Sequence, residues 1–324
     1  MKFRGVDLAF IPALTRLAWI QRGDPPPPLG DVEGRRHRAS GMGPWLAAQF
    51  GDVPLVTISD MWVEGDRPEP LRIRVYQPTN RRVPTDPSPA ILHIHGGGMI
   101  MSTVEAYDQR CSAYAHATGY PVFSVDYRLA PEHPYPAAHE DCLDTYIWMQ
   151  NSAANLGIDP ERIALLGNSA GSGLAAALAL RIRDLKLTPP RCQVLIYPML
   201  DHRTTTPGPG WEHTWLYWDF QDNQTAWEAY LGEVGSEDPP VYAVPALASD
   251  LHGLPDTYIC VGTADIFFTE DLEFAARLEQ AGVPTELHVV EGAPHNFDYL
   301  TPHCPASRDS WRSRFEYLVR TIQD

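Results

Sequence analysis

From residue 90 onward, short apolar runs alternate with stretches of helical periodicity, and that alternation most limits the folds open to this chain. Runs at 90–95, 121–125, 163–167, 193–198, 257–262 and 285–290 are brief and rich in aliphatic residues, as strands buried on both faces are. Helices are predicted between them, near 106–117, 137–153, 170–185, 269–281 and 306–321. Strands separated by helices give a mostly parallel sheet covered on both faces. Two earlier runs, 54–59 and 71–76, follow one another with no helix between and should pair antiparallel. The expected fold class is therefore α/β: an eight-stranded, mostly parallel sheet flanked by helices.

Charge and cysteine usage narrow the partners. Twenty-five Lys plus Arg against 41 Asp plus Glu leave a net charge of −16, which repels phosphate backbones, so nucleic acid is not an expected partner. No run of apolar residues is long enough for a membrane span. The five cysteines are widely spaced and odd in number, which speaks against metal or redox motifs and for a reducing, cytoplasmic setting. At the N-terminus, Asp7 and Arg16 interrupt what would otherwise resemble a signal peptide. Leu8, Ile11, Leu14, Leu17 and Ala18 fall at helical spacing, so a short amphipathic helix is expected there, followed by a stiff PPPP connector at 25–28.

One interval breaks the alternation. About sixty residues separate the run ending near Pro198 from the next at 257, and they hold Trp211, Trp215, Trp218 and Trp227. An insertion of this length at the strand ends of an α/β sheet is expected to cover the ligand crevice. Trp211 and Trp215 become candidate pocket residues on that basis. A buried stripe of an ordinary helix accounts for 211, 215 and 218 equally well.

The run RIALLGNSAGSGLAAALALRI at 162–182 reads as a buried strand, a sharp turn and a helix of small residues. A serine on such a turn is held out at the end of the sheet, at the positive end of the helix. That makes Ser169 a candidate nucleophile, which needs a base and an acid to orient the base. His295, in EGAPHNFD directly after the last predicted strand, is the best-placed histidine, with His303 second; His288 sits mid-strand and is expected in the core. Asp265 enters the loop behind the strand 257–262, whereas Glu270 and Asp271 fall where carboxylates complement a helix start. The three glycines of HIHGGGMIM (93–101) suit a loop whose backbone N–H groups converge on a developing oxyanion, so Gly96, Gly97 and Gly98 are candidate donors. Met99, Ile100, Met101 and Ser102, which follow, are candidate pocket wall.

Taken together, HGGG at 95–98, DYRLAPEHPYPAA at 126–138, GNSAG at 167–171, YPMLD at 197–201, GTADIFFTED at 262–271 and GAPHNFD at 292–298 resemble the hormone-sensitive-lipase-like, bacterial family IV carboxylesterases of the α/β-hydrolase superfamily. The resemblance spans residues 50 to 320. It implies the α/β-hydrolase fold, Ser169, Asp265 and His295 as catalytic triad, and an oxyanion hole at Gly97 and Gly98 completed by the N–H of Ala170. It implies a helical cap built from residues 1–50 and 202–235 over a catalytic domain at 51–324. It further implies a small-molecule ester substrate of short to medium chain, no metal or organic cofactor, and a homodimer through the last strand's edge. Asp126, Arg128 and Glu132 would form a buried network bracing the HGGG loop. Amidase or deacetylase chemistry fits the same triad, and a non-catalytic receptor fits the same scaffold. Asn168, Ser102 and Thr269 depart from the family pattern, the last by removing an acid near Asp265.

Overall fold

Eight strands form one sheet: β1 (Val56–Val63), β2 (Leu71–Pro78), β3 (Ser88–Ile94), β4 (Val122–Val125), β5 (Ile158–Asn168), β6 (Cys192–Ile196), β7 (Asp256–Ala264) and β8 (Thr285–Pro294). The computed structural model describes residues 5–23, 25–51, 53–64, 69–79, 87–207 and 217–323. The strand order is β1-β2-β4-β3-β5-β6-β7-β8. β2 pairs antiparallel with both β1 and β4, and every pairing from β4 to β8 is parallel. The first two strands thus pair as their helix-free connection requires. β1 runs later than the expected 54–59, and β5 begins before 163, where Ser88 pairs with Ile158.

The helices are α1 (Ile11–Ile20), α2 (Val32–Phe50), α3 (Asp108–Thr118), α4 (Ala137–Asn151), α5 (Ala153–Leu156), α6 (Ala170–Asp184), α7 (Phe220–Leu231), α8 (Phe268–Gln280), α9 (Phe297–Leu300) and α10 (Pro305–Gln323). Successive strand residues point to opposite faces. Ile91, Ala164 and Val194 meet Tyr114 of α3 and Trp311 and Leu318 of α10 on one face. Leu92, Leu165 and Ile259 meet Tyr146 of α4, Leu178 of α6 and Phe274 of α8 on the other. α6 is buried nearly all round, as a helix inside a core is.

α1 and α2 pack away from the sheet. Leu14, Leu17, Met42 and Leu46 form a separate apolar cluster with Tyr299 and Leu300 of α9. Leu8 lies outside the helix and is exposed, so the amphipathic stripe starts later than its spacing suggests. α2 is a second helix that local pattern does not announce. Asp31 caps it by accepting from Gly34 N–H at 2.8 Å, and Arg35 joins it to α7 through Asp222 at 2.8 Å.

The expected charge network of Asp126, Arg128 and Glu132 resolves into three separate pairs. Asp126 binds Arg72, Arg128 binds Asp141, and Glu132, more than half exposed, binds Arg36. Tyr127 braces the HGGG loop instead. Its hydroxyl donates to the His95 carbonyl at 2.8 Å, its ring stacks on the His95 ring, and Ala130 N–H donates to the Met99 carbonyl at 2.9 Å.

Candidate active site

Four loops leave the C-terminal ends of neighbouring parallel strands and meet. His95–Gly98 follows β3, Ser169 follows β5, Asp265 follows β7 and His295 follows β8. Ligand crevices form at this edge of open α/β sheets. Ser169 adopts φ 55° and ψ −121°, a conformation costly for a side-chain-bearing residue. The surrounding backbone over-determines it: Ser169 N–H donates to the Ile196 carbonyl at 2.8 Å, and its carbonyl accepts from Ser172 N–H at 2.9 Å and Met199 N–H at 3.1 Å.

His295 Nε2 lies 3.0 Å from Ser169 Oγ, and His295 Nδ1 lies 2.7 Å from Asp265 Oδ2. The other carboxylate oxygen of Asp265 accepts from Phe267 N–H at 3.1 Å. All three side chains are buried. Tyr197 and Phe267 meet the His295 ring edge-on at 4.7 and 5.2 Å, and Tyr217 stacks on it more loosely at 6.5 Å. The imidazole is therefore held in plane by aromatic contacts as well as by hydrogen bonds.

The HGGG loop passes directly against the serine. A Cβ on Gly96 would stand 2.7 Å from the Asn168 carbonyl oxygen and 3.1 Å from Ser169 Cβ. Gly96 N–H donates to the Tyr107 hydroxyl at 3.0 Å, which removes Gly96 from the expected set of oxyanion donors. The N–H groups of Gly97 and Gly98 meet no acceptor among the described residues, and Ala170 N–H, first in α6, has none within its helix. The Gly97 carbonyl accepts from the N–H groups of both Ile100 and Met101, so the loop is a closed turn. Gly98 has φ +62°, and a Cβ there would meet the Trp218 ring at 2.6 Å.

That turn decides which side chains face the ligand. Met99 and Ile100, expected in the pocket wall, are buried in the main core, because the turn directs them under the sheet's helices. Met101 and Ser102 do line the cavity, which has a volume of about 1210 Å³ and also borders Ser169, His295, Trp218 and residues of α2. Trp211 and Trp215 lie outside the described residues. His303 is exposed and His288 half-buried, the latter stacked on Tyr258. Asn168 is wholly buried and binds His93, whose ring burial pushes down to about 3.

Sequence reasoning placed Glu270 and Asp271 at a helix start, where they do stand, but missed what surrounds them behind Asp265. Glu270 does not cap its own helix. Its carboxylate accepts from the N–H groups of Leu200 at 2.7 Å and Asp201 at 3.1 Å, and from the Thr204 hydroxyl, fixing the chain that leads from β6 toward α7. Burial pushes its carboxyl up to about 8. Asp271 is fully buried with no hydrogen-bond partner among the described residues, and burial together with Glu270 and Asp265 raises it well above the usual range. Thr269 is exposed, so its departure from the family pattern removes nothing from the site.

Residues 91–299 match the family model described as the α/β-hydrolase fold. The chain is 33% identical to an esterase, LipI, from Mycobacterium tuberculosis, over 79% of this chain and 80% of that protein. It is 32% identical to an ethyl acetate hydrolase from Pseudomonas putida, over 74% and 75% of the two chains. Among solved structures it resembles a bacterial heroin esterase, with a TM-score of 0.87, 32% identity and full coverage of both chains. No described helix is long and apolar enough to cross a membrane.

Proposed function

Since the chain belongs to the α/β-hydrolase family, in its hormone-sensitive-lipase-like branch, and is a carboxylic ester hydrolase, we propose that it is a serine carboxylesterase for short- to medium-chain acyl or aryl esters. The observation that carries this reading is the continuous chain from Ser169 Oγ through His295 to Asp265, at 3.0 and 2.7 Å. His295 Nε2 takes the hydroxyl proton as Ser169 Oγ attacks the ester carbonyl. Asp265 holds the tautomer that leaves Nε2 free to accept it. The carbonyl oxygen becomes an oxyanion and receives hydrogen bonds from the N–H groups of Gly97, Gly98 and Ala170. The C–O bond to the alcohol breaks as protonated His295 returns the proton to the leaving oxygen. Water then attacks the acyl-Ser169 ester by the same route and releases the acid. No step draws on a metal or organic cofactor.

In this reading α1 and α2 at residues 1–50, with the segment 202–235 that contains α7, form a two-part cap over a catalytic domain at 51–324. The Arg35–Asp222 pair, which joins α2 to α7, supports that division. The chain-length preference is supported by Trp218, whose ring stands against Gly98 and narrows the cavity beside Ser169.

Ser169→Ala is expected to abolish hydrolysis of p-nitrophenyl butyrate while leaving the folded state intact by circular dichroism. Retention of most of the activity refutes the assignment. A chain-length series with its maximum above about C10 refutes the preference for shorter esters while leaving the triad standing.

A further inference from the structure

Three arginines are buried in the described structure: Arg35, Arg110 and Arg314. Two are neutralised, Arg35 by Asp222 at 2.8 Å and Arg314 by Asp298 at 2.6 Å. Arg110 of α3 is only 4% exposed and forms no ion pair within 4 Å among the described residues, although Asp298 attracts it from farther away. A buried cation without a counter-charge is costly and rare. The guanidinium lies over the rings of Tyr107 and Tyr299, at 4.5 and 3.9 Å, and cation–π attraction offsets part of that cost. The N–H donors of a guanidinium lie in its plane, so its edge is what hydrogen-bonds. Nη2 donates to Asn296 Oδ1 at 2.7 Å, and Nε donates to nothing.

Arg110 lines the same cavity as Ser169 and His295, and its partner Asn296 is the residue after His295. The other charges on the wall do not neutralise it. Glu105 pairs with Arg72, Asp108 with Arg74 and Asp222 with Arg35, while Asp219 caps α7. Asp298 contacts Arg314 and the Tyr197 hydroxyl and reaches Arg110 only at longer range, so one carboxylate faces two guanidiniums and a positive charge is left over. On the α2 side, Arg38 is a second guanidinium whose Nε has no partner among the described residues and whose Nη2 donates to Gln21 Oε1 at 2.6 Å.

We propose that Arg110 recognises an anionic group on the substrate, so that the preferred substrates are esters carrying a carboxylate, on either the acyl or the alcohol part. The proposal rests on the ester-hydrolase reading of the site and specifies its substrate class. An in-plane guanidinium edge matches the planar fork of a carboxylate. The net charge of −16 would repel such a substrate at long range, so recognition here is local and depends on a desolvated cation beside the reacting carbonyl.

Monoethyl glutarate and ethyl glutaramate have nearly the same shape and differ in charge on the acyl side; meta-acetoxybenzoate and meta-acetoxybenzamide carry the same contrast on the alcohol side. For the full-length enzyme, kcat/KM is expected to favour the charged member of at least one pair by about tenfold or more. The pair that shows it assigns the subsite. Arg110→Met is expected to bring that ratio close to one, and Arg110→Lys to keep part of it. A role confined to holding Asn296 would slow both members alike and leave the ratio unmoved. Equal kcat/KM within both pairs, or a preference that survives Arg110→Met, overturns the proposal. Calorimetric binding to the Ser169→Ala enzyme reads the same contrast without turnover, so anion recognition and ester hydrolysis can fail separately. Tighter binding of the charged member of either pair supports the proposal, and equal binding overturns it even if Arg110→Met does not fold.

Discussion

Arg36 of α2 is expected to hold the N-terminal helices on the active site, and the contribution of each of its bonds can be separated. Its Nε donates to the Ile100 carbonyl at 2.7 Å and its Nη2 to the Ala130 carbonyl at 3.0 Å, while Glu132 receives both terminal nitrogens at 2.7 Å. Arg36 holds the Glu132 carboxyl down to about 2, which suggests a strong pair. Glu132 is 53% exposed, however, and screening leaves a pair of that kind worth at most about 1 kcal/mol. The two carbonyl bonds are charge-assisted and partly buried, so together they contribute about 2–4 kcal/mol. Arg36→Met should therefore destabilise the enzyme by about 2–4 kcal/mol in urea unfolding followed by tryptophan fluorescence, and Glu132→Gln by less than about 1 kcal/mol. Because Ile100 belongs to the turn closed on the Gly97 carbonyl, Arg36→Met should also lower kcat for p-nitrophenyl butyrate, and limited proteolysis should cut the connector between α1 and α2 sooner. Equal destabilisation by the two substitutions would refute the argument, since it would put the stabilisation in the exposed ion pair.

Gly98→Ala sets a Cβ against Trp218 at φ +62° and is expected to cost roughly a hundredfold in kcat with a smaller change in KM, as loss of one oxyanion donor does; an unchanged kcat removes Gly98 from that role. Glu270 has a folded-state pKa raised from about 4.5 to about 8, so its contribution to stability is present below pH 4.5 and is lost as pH rises to 8, by up to about 5 kcal/mol. Glu270→Gln keeps an acceptor for the N–H groups of Leu200 and Asp201, and should flatten thermal stability between pH 5 and 9; parallel profiles for variant and wild type would contradict this. Trp218→Ala opens the space beside Gly98 and should move the best p-nitrophenyl ester to a longer acyl chain, whereas an unmoved optimum would show that Trp218 does not limit the pocket.

Parts of the fold were legible where burial is two-sided. Ile91 and Leu92, or Ala164 and Leu165, face opposite helical layers, so their strands read as continuous apolar runs whatever their register. β1 is an edge strand and mostly exposed, so nothing in its hydrophobicity marks its ends. β5 starts at Ile158, which pairs with Ser88, and the charged residues 159–162 form an irregularity before regular pairing to β3 resumes at Ile163, so composition hides its start. α2 contains Gly34, Gly41, Gly43 and Pro44, each of which argues against a helix by propensity. The Asp31 cap, the Arg35–Asp222 pair and the burial of Met42 and Leu46 stabilise it, and all but the cap are tertiary contacts invisible to a local pattern.

The same division runs through the site. Ser169, Asp265 and His295 could be nominated because each directly follows a strand of the parallel sheet, and parallel strands deliver their C-terminal loops to one edge. The pocket could not be read that way, because its walls come from the middle of helices and from one turn. Met99 and Ile100 precede Met101 and Ser102 in an unbroken apolar run, and only the two amides gathered by the Gly97 carbonyl determine that the first pair enters the core and the second the cavity. Arg110 looks in sequence like any polar residue of an amphipathic helix. That it has no ion-pair partner of its own among the described residues emerges only when Asp298 is seen in contact with Arg314 and Asp108 with Arg74. Reaction type is thus written in strand-end motifs, whereas substrate choice depends on which charges the tertiary structure leaves unpaired. Two relatives with identical motifs can therefore differ in substrate through a single helix position, and position 110 is where this chain should be compared with them.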